Sequence, residues 1–356
     1  MKKIFLIIAC TIAVNVFSQK TKTENIIVVT LDGMRWEEIF GGVDSAIVNN
    51  PAYTREKEEI QKTLWTDNAE ERRKRLFPFF WNTIAVKGQL YGNRNKGSFV
   101  DVANPYKFSY PGYNEIFTGY PDTAVNSNDK IKNKNENVLE FINKQKGYKD
   151  KVASFNTWDV APYFLNKWRS GIYVNADQDT IDFGTAQSKL LNDMQVISMK
   201  PNGERLDIIT YIAAREYFKV KKPKVLYISF DETDEYAHQG KYDYYLGSAH
   251  AEDAMIGDIW NLVQSMPEYK NKTTLLVTCD HGRGDKIKSQ WRDHGQRVQD
   301  ASQIWLAVIG PDTSPLGEIT TGQFYQKQFA ATLAALLGFK FNPEHPVGEV
   351  IPGVLK

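Results

Sequence analysis

The chain has 356 residues, 42% of them hydrophobic, and a formal net charge of +1 at neutral pH. That length and apolar content suffice for one sizeable core with room for a small cap. The near balance of 44 basic and 43 acidic residues excludes a polyelectrolyte that grips nucleic acid by bulk charge, and a cluster such as Arg72-Arg73-Lys74-Arg75 reads as solvated helix surface.

At the amino terminus Lys2-Lys3, an apolar stretch over residues 4–17 and then Ser18-Gln19 have the three regions of a secretory signal, so residues 1–18 are expected to be removed and the protein exported to the periplasm or beyond. Ile7-Ile8-Ala9-Cys10 is a weaker reading as a lipoprotein box, since cleavage there leaves an unusually short apolar segment. No later segment approaches the roughly 20 apolar residues that span a bilayer. Of the two cysteines, Cys10 leaves with the signal, and Cys279, at the end of an apolar run, reads as a small buried hydrophobe.

Residues 26–31 form a continuous apolar run into Asp32, the pattern of a buried parallel strand. Residues 41–75 are charge-mixed, with exposed helix expected near 54–60 and 68–72. An amphipathic helix follows from Phe77 to Gly88, and a strand starts at Leu90. Residues 126–137 are a loop by composition, leading to a helix over 138–145 and a strand over 151–155. Periodicity weakens over 161–200, which is expected, with 41–75, to form a partly irregular cap inserted in a catalytic domain spanning 19–356. Helix 207–220 precedes strand 225–230, which delivers Asp231, Asp234 and His238. A long helix, a strand over 275–279 into Asp280, a buried strand over 304–310 and a helix over 329–337 closed by Gly338 complete the chain. The alternation predicts an α/β fold with a mainly parallel central sheet sandwiched by helices.

Seven side chains just past apolar runs then stand out: Asp32, Ser109, Asp234, His238, Asp280, His281 and His294. They supply three carboxylates, three imidazoles and a hydroxyl, the inventory for two divalent cations roughly 4 Å apart beside an activated serine. In open α/β sheets such groups meet beyond the carboxyl ends of the strands, so sequence distance is no obstacle.

Leu31-Asp32-Gly33-Met34-Arg35, the segment Phe108-Ser109-Tyr110-Pro111-Gly112-Tyr113-Asn114-Glu115-Ile116-Phe117-Thr118-Gly119, the Asp234-x-x-x-His238 pair and Asp280-His281-Gly282 resemble the alkaline phosphatase superfamily, in particular its nucleotide pyrophosphatase/phosphodiesterases. Asp293-His294-Gly295-Gln296-Arg297 is closer to the compact ending of phosphopentomutases and cofactor-independent phosphoglycerate mutases. The resemblance implies an alkaline-phosphatase-like fold and a small-molecule phosphate mono- or diester as substrate. It implies one cation on Asp32, Asp280 and His281 with Ser109, a second on Asp234, His238 and His294, and Ser109 as nucleophile. Zinc suits these ligands, with manganese as the alternative. Asn126 or Asn128 stands roughly where the phosphodiesterases carry a phosphate-binding asparagine, and Asn114 and Arg297 are further phosphate-binding candidates.

The sulfatase modification signature needs arginine where Tyr113 stands, and the insertion expected of a mutase is missing between Ser109 and Asp234. Sulfatase, phosphonate hydrolase, phosphomutase and a catalytically silent metal-stabilised binding protein are the alternatives. Asp231 is expected to support the ligands from behind, His250 and His345 to be structural, and Tyr110, Tyr113 and Trp158 to pack in the core or stack on a leaving group.

Overall fold

A computed structural model describes residues 21–198 and 203–356. The expected signal and lipoprotein box lie outside the described residues, as do residues 199 and 200 of the expected insertion. Among the described residues eleven strands form two sheets: β1 (Asn25–Leu31), β2 (Gln89–Tyr91), β3 (Ser98–Asp101), β4 (Val152–Asn156), β5 (Tyr173–Ala176), β6 (Val225–Phe230), β7 (Thr273–Thr278), β8 (Gln303–Ile304), β9 (Leu306–Ile309), β10 (Gly317–Glu318) and β11 (Gly322–Tyr325). The large sheet has the order β10-β2-β9-β7-β1-β6-β4-β5, and β11-β3-β8 make a small one. Within the large sheet β9 alone runs against its neighbours; all other pairings are parallel. The mainly parallel α/β fold expected from the sequence is the fold observed.

The centre of the sheet is covered on both faces: every residue of β1, β6 and β7 is buried. Helices Asp207–Lys221 and Tyr242–Ser265 pack on this core, the latter burying Tyr245, Leu246, Ala249, Ile256, Ile259 and Val263 on one stripe. The helix over Asp207–Lys221 ends with Lys222 in the left-handed region, followed by Pro223, which cannot continue it.

Two expectations change. The run over 304–310 is not one strand. Trp305, fully buried, donates from Nε1 to the Met34 carbonyl (3.0 Å) while its own carbonyl accepts from Thr278 Oγ1 (2.6 Å), so the chain turns there from the small sheet into the large one, where β9 runs antiparallel to β7. The segment expected as an irregular insertion is also more regular: it supplies β5, the edge of the main sheet, and a helix over Ala186–Ile197 opened by a Thr185–Ser188 capping box. Residues 41–75 do carry surface helices, over Lys57–Thr63 and Ala69–Leu76, the second capped by Asn68.

Candidate active site

The three strands that end in acidic residues are neighbours, in the order β7-β1-β6, and all point the same way. Asp32 follows β1 directly, Asp280 follows β7 by one residue, and Asp234 sits in the helix Glu232–His238 that starts where β6 stops. Thr233 Oγ1 donates to the Asp32 carbonyl (2.7 Å), tying that helix to β1. Convergence is thus a product of parallel register.

His281 Nε2 stands 3.4 Å from Asp32 Oδ1, 3.3 Å from Asp280 Oδ2 and 3.8 Å from Asp234 Oδ1. His238 Nε2 lies 3.0 Å from Asp234 Oδ2 and 2.9 Å from His294 Nε2, and His294 Nε2 is 3.8 Å from Asp234 Oδ1. The His281 and His294 rings stack with centroids 4.0 Å apart. Two sets of donor atoms therefore cluster tightly: Asp32, Asp280 and His281 in one, and Asp234, His281 and His294 in the other, with His238 joining from the exposed rim. His281 stands between them, nearer to Asp234 than the sequence-based division of ligands expected.

Asp32, Asp280 and His281 are each held by one atom and left bare at another. Asp280 Oδ1 accepts the Gly33 N–H (3.0 Å), Asp32 Oδ2 accepts the Tyr113 hydroxyl (2.8 Å), and His281 Nδ1–H donates to the Gly282 carbonyl (3.1 Å), which fixes the tautomer. Asp280 Oδ2, Asp32 Oδ1 and His281 Nε2 are buried without a hydrogen-bond partner. Orphaned buried polar atoms are costly, and three facing one point are what a cation would satisfy. Burial, followed by the charge of the neighbouring aspartate, holds the carboxyls of Asp32 and Asp280 well above the ordinary range. For Asp234 burial acts in the same direction, but the Arg283 guanidinium and the nearby imidazoles outweigh it and the group lies well below the usual range. Burial, then His281, lowers His294.

Ser109 opens the helix Ser109–Thr118, closed by Gly119 in the left-handed conformation. This helix lies hard against the cage. A Cβ on Gly112 would come 2.4 Å from the Asp280 carbonyl oxygen, and Tyr113, one turn beyond Ser109, reaches Asp32. Lys107, two residues before the serine, has a φ of 56°, an uncommon conformation for a side-chain-bearing residue at a functional turn.

The candidate phosphate ligands part company. Asn128 Oδ1 accepts the Tyr110 N–H (2.9 Å) in the first turn of the serine helix. Asn126 is exposed and lines a cavity of about 170 Å³ behind Tyr110. Asn114 is turned away: it donates to the Tyr120 carbonyl (2.8 Å) and its Oδ1 accepts from Asn133 (3.0 Å) and Asn135 (3.3 Å), so its amide organises the 120–135 loop. Arg297 is exposed on the turn after His294, where the Gly295 N–H meets the Lys107 carbonyl (2.9 Å). Asp231 is buried behind the ligands and shares a hydrogen bond with Glu204, whose carboxyl burial pushes up to about 7. His250 bonds the Leu76 carbonyl and His345 the Glu136 carbonyl, both structural contacts, and Cys279 is buried.

The roles of three residues escaped the sequence reading. Buried Arg283, next after the Asp-His-Gly motif, donates to the Gly33 and Arg292 carbonyls (3.1 and 2.6 Å) and to the Asp234 carboxylate. Buried Glu115 accepts from the Ala103 and Asn104 N–H groups, the Asn104 amide and the Lys327 N–H, fastening the loop that enters the serine helix. Tyr113 is the third. A charged residue inside an apolar stretch was the available signal for Glu115.

A sequence model of the type I phosphodiesterase / nucleotide pyrophosphatase family matches residues 44–304, more than half of the chain and six of the seven candidate ligand and nucleophile residues, Asp32 alone lying outside it. The chain belongs to this family. No curated protein matches it in sequence. Among solved structures it is similar to the alkaline phosphatase PafA, with a TM-score of 0.62 at 10% identity over 95% of this chain and 99% of that one. It is similar to murine ectonucleotide pyrophosphatase/phosphodiesterase 5, solved in complex with AMP as an inactive variant, with a TM-score of 0.54 at 12% identity over 94% and 100% of the two chains. The lipoteichoic acid synthase LtaP from Listeria monocytogenes aligns with a TM-score of 0.56 at 13% identity over 90% and 73%. At such identities the likeness establishes the alkaline-phosphatase-like fold, and the family places the chain among phosphoesterases. No helix among the described residues is long and apolar enough to cross a membrane.

Proposed function

We propose that the protein is an exported two-metal phosphoesterase that hydrolyses small phosphate mono- or diesters through a phosphoserine on Ser109. The observation that supports it best is the trio of buried, unpartnered atoms on Asp32, Asp280 and His281, set against the helix that Ser109 opens. Asp32, Asp280 and His281 would hold one cation with Ser109, and Asp234, His294 and His238 the other, with His281 close to both. Zinc, or manganese in its place, would supply Lewis acidity at the phosphate and ease deprotonation of the serine hydroxyl.

Ser109 Oγ would attack phosphorus in line, forming the Oγ–P bond as the bond to the leaving alcohol oxygen breaks, and water would then cleave the Oγ–P bond, releasing phosphate from a monoester or the remaining phosphomonoester from a diester and returning a proton to the serine. Asn128, whose carbonyl oxygen accepts the Tyr110 N–H, would turn its amide N–H groups to a phosphate oxygen. Arg297 is a more distant candidate on the rim, and Asn126 lies beside the neighbouring cavity. Arg283 keeps one fixed positive charge against Asp234. The amino-terminal charge and hydropathy pattern supports export.

The test is hydrolysis of p-nitrophenyl phosphate and bis-p-nitrophenyl phosphate by protein reloaded with zinc or manganese, beside Ser109→Ala. The expected result is activity that falls by roughly three orders of magnitude or more in the variant while its metal content is unchanged. Wild-type rates in Ser109→Ala would remove the serine from the chemistry.

A further inference from the structure

Beneath the candidate metal centre runs a chain of four buried hydroxyls that ends on one ligand. Tyr113 OH donates to Asp32 Oδ2 (2.8 Å), Ser229 Oγ donates to Tyr113 OH (3.2 Å), and Thr30 Oγ1 donates to Ser229 Oγ (3.1 Å). Thr30 Oγ1 is also 2.9 Å from Tyr227 OH. A hydroxyl has one proton to give, and that of Thr30 is committed to Ser229, so Tyr227 must be the donor to Thr30. Every proton in the series therefore points toward the aspartate. All four hydroxyl residues and Asp32 are at most 3% exposed, so no solvent competes for these bonds.

The arrangement follows from the fold. Thr30 and Ser229 are register partners on β1 and β6, and Tyr227 lies two residues before Ser229 on the same face of the strand. Tyr113 is four residues after Ser109 in its helix, hence on the serine's side of it, and its ring stacks on Phe164 at 4.7 Å and 8°. Bonds aligned head to tail polarise one another, and the acceptor at the end of the series gains most.

We propose that Tyr113 is a positioning residue for the cation held by Asp32, and that Tyr227, Thr30 and Ser229 are the chain that keeps its proton on that carboxylate. With Oδ2 occupied, Asp32 offers the cation Oδ1 alone, the atom that has no other partner. The same bond ties the serine helix to the metal ligand, so that nucleophile and cation share one frame. This rests on the two-metal reading above.

Metal-stripped protein is titrated with zinc against a chromophoric chelator, for wild type, Tyr113→Phe, Ser229→Ala and the double variant. Wild type is expected to bind two zinc ions. Tyr113→Phe keeps the ring on Phe164, so its metal-free melting temperature should hold, while one of the two zinc affinities drops about tenfold and the other is unchanged. Ser229→Ala should give a smaller loss at the same ion, and the double variant should match Tyr113→Phe, because the series is already cut. Two wild-type affinities in Tyr113→Phe, or a Ser229→Ala loss that adds in full to that of Tyr113→Phe, would overturn the proposal. Should Tyr113→Phe melt far below wild type, the Ser229→Ala titration decides alone: no loss at either ion sinks the chain. A wild type that binds fewer than two zinc ions brings down the two-metal reading itself.

Discussion

Glu115 is a carboxylate in the middle of a helix with no positive side chain on it. It is stable there because four N–H donors converge on it, from Ala103, Asn104 and Lys327, and together they set the loop that leads into Ser109. Replacement by glutamine keeps the shape and turns one acceptor into a donor facing other donors. Glu115→Gln is therefore expected to lower stability in urea unfolding by about 2–3 kcal/mol, with Ser109 chemistry weakened as its loop loosens. A variant as stable as wild type would show those bonds to be worth little. At this scale the sequence announces candidate ligand types but not their partners. Asp32, Asp280 and His281 are legible because aspartate and histidine seldom follow an apolar strand without a task. Tyr113 and Arg283 are not, because each acquires its role from a carboxylate far away in the chain. Asn114 shows the converse: it lies in the same motif as Ser109, yet its amide bonds the 120–135 loop.

Elements were legible in proportion to their apolar continuity. β1, β6 and β7 could be read because every residue in them is buried. The turn at Trp305 could not, since a run that is apolar throughout gives no sign of changing sheets, and β5 was hidden because a short edge strand with an exposed Tyr173 has little periodicity. The serine helix offers a contest between local and tertiary preference. Gly112→Ala should favour the helix by about 1 kcal/mol. The added Cβ would also sit 2.4 Å from the Asp280 carbonyl oxygen, backbone that can yield only if helix and strand separate. Overpacking of this kind typically costs about 1–3 kcal/mol, so the steric effect is expected to win. The variant should melt lower than wild type and bind zinc more weakly. A higher melting temperature with intact zinc binding would mean that the helix is free to shift.

Over the whole molecule, several buried carboxyls among the described residues form no salt bridge. Asp253 accepts the Phe79 and Phe80 N–H groups (2.7 and 3.0 Å), yet burial pushes it up to about 7, and burial with the charge of Glu232 does the same to Asp207. A carboxyl with a raised folded-state pKa keeps its proton where the unfolded chain has lost it. Its contribution is whole below the unfolded value near 4 and is lost as pH rises through about 7. Chelator-treated protein is accordingly expected to melt at progressively lower temperature in calorimetry between about pH 5 and 8. With zinc present the fall should be shallower, because Asp32 and Asp280 are then ionised against a cation. A melting temperature that climbs over that range without metal would contradict the assignment.

The three acid-bearing strands occupy the middle of the sheet, while β5 and β10 form its borders. Fraying at either border is therefore separated from the acid-bearing strands by at least one intervening strand. If the proposed cations sit there, losing one would uncover like charges among fully buried strands, so that departure of metal and softening of the interior would be a single event.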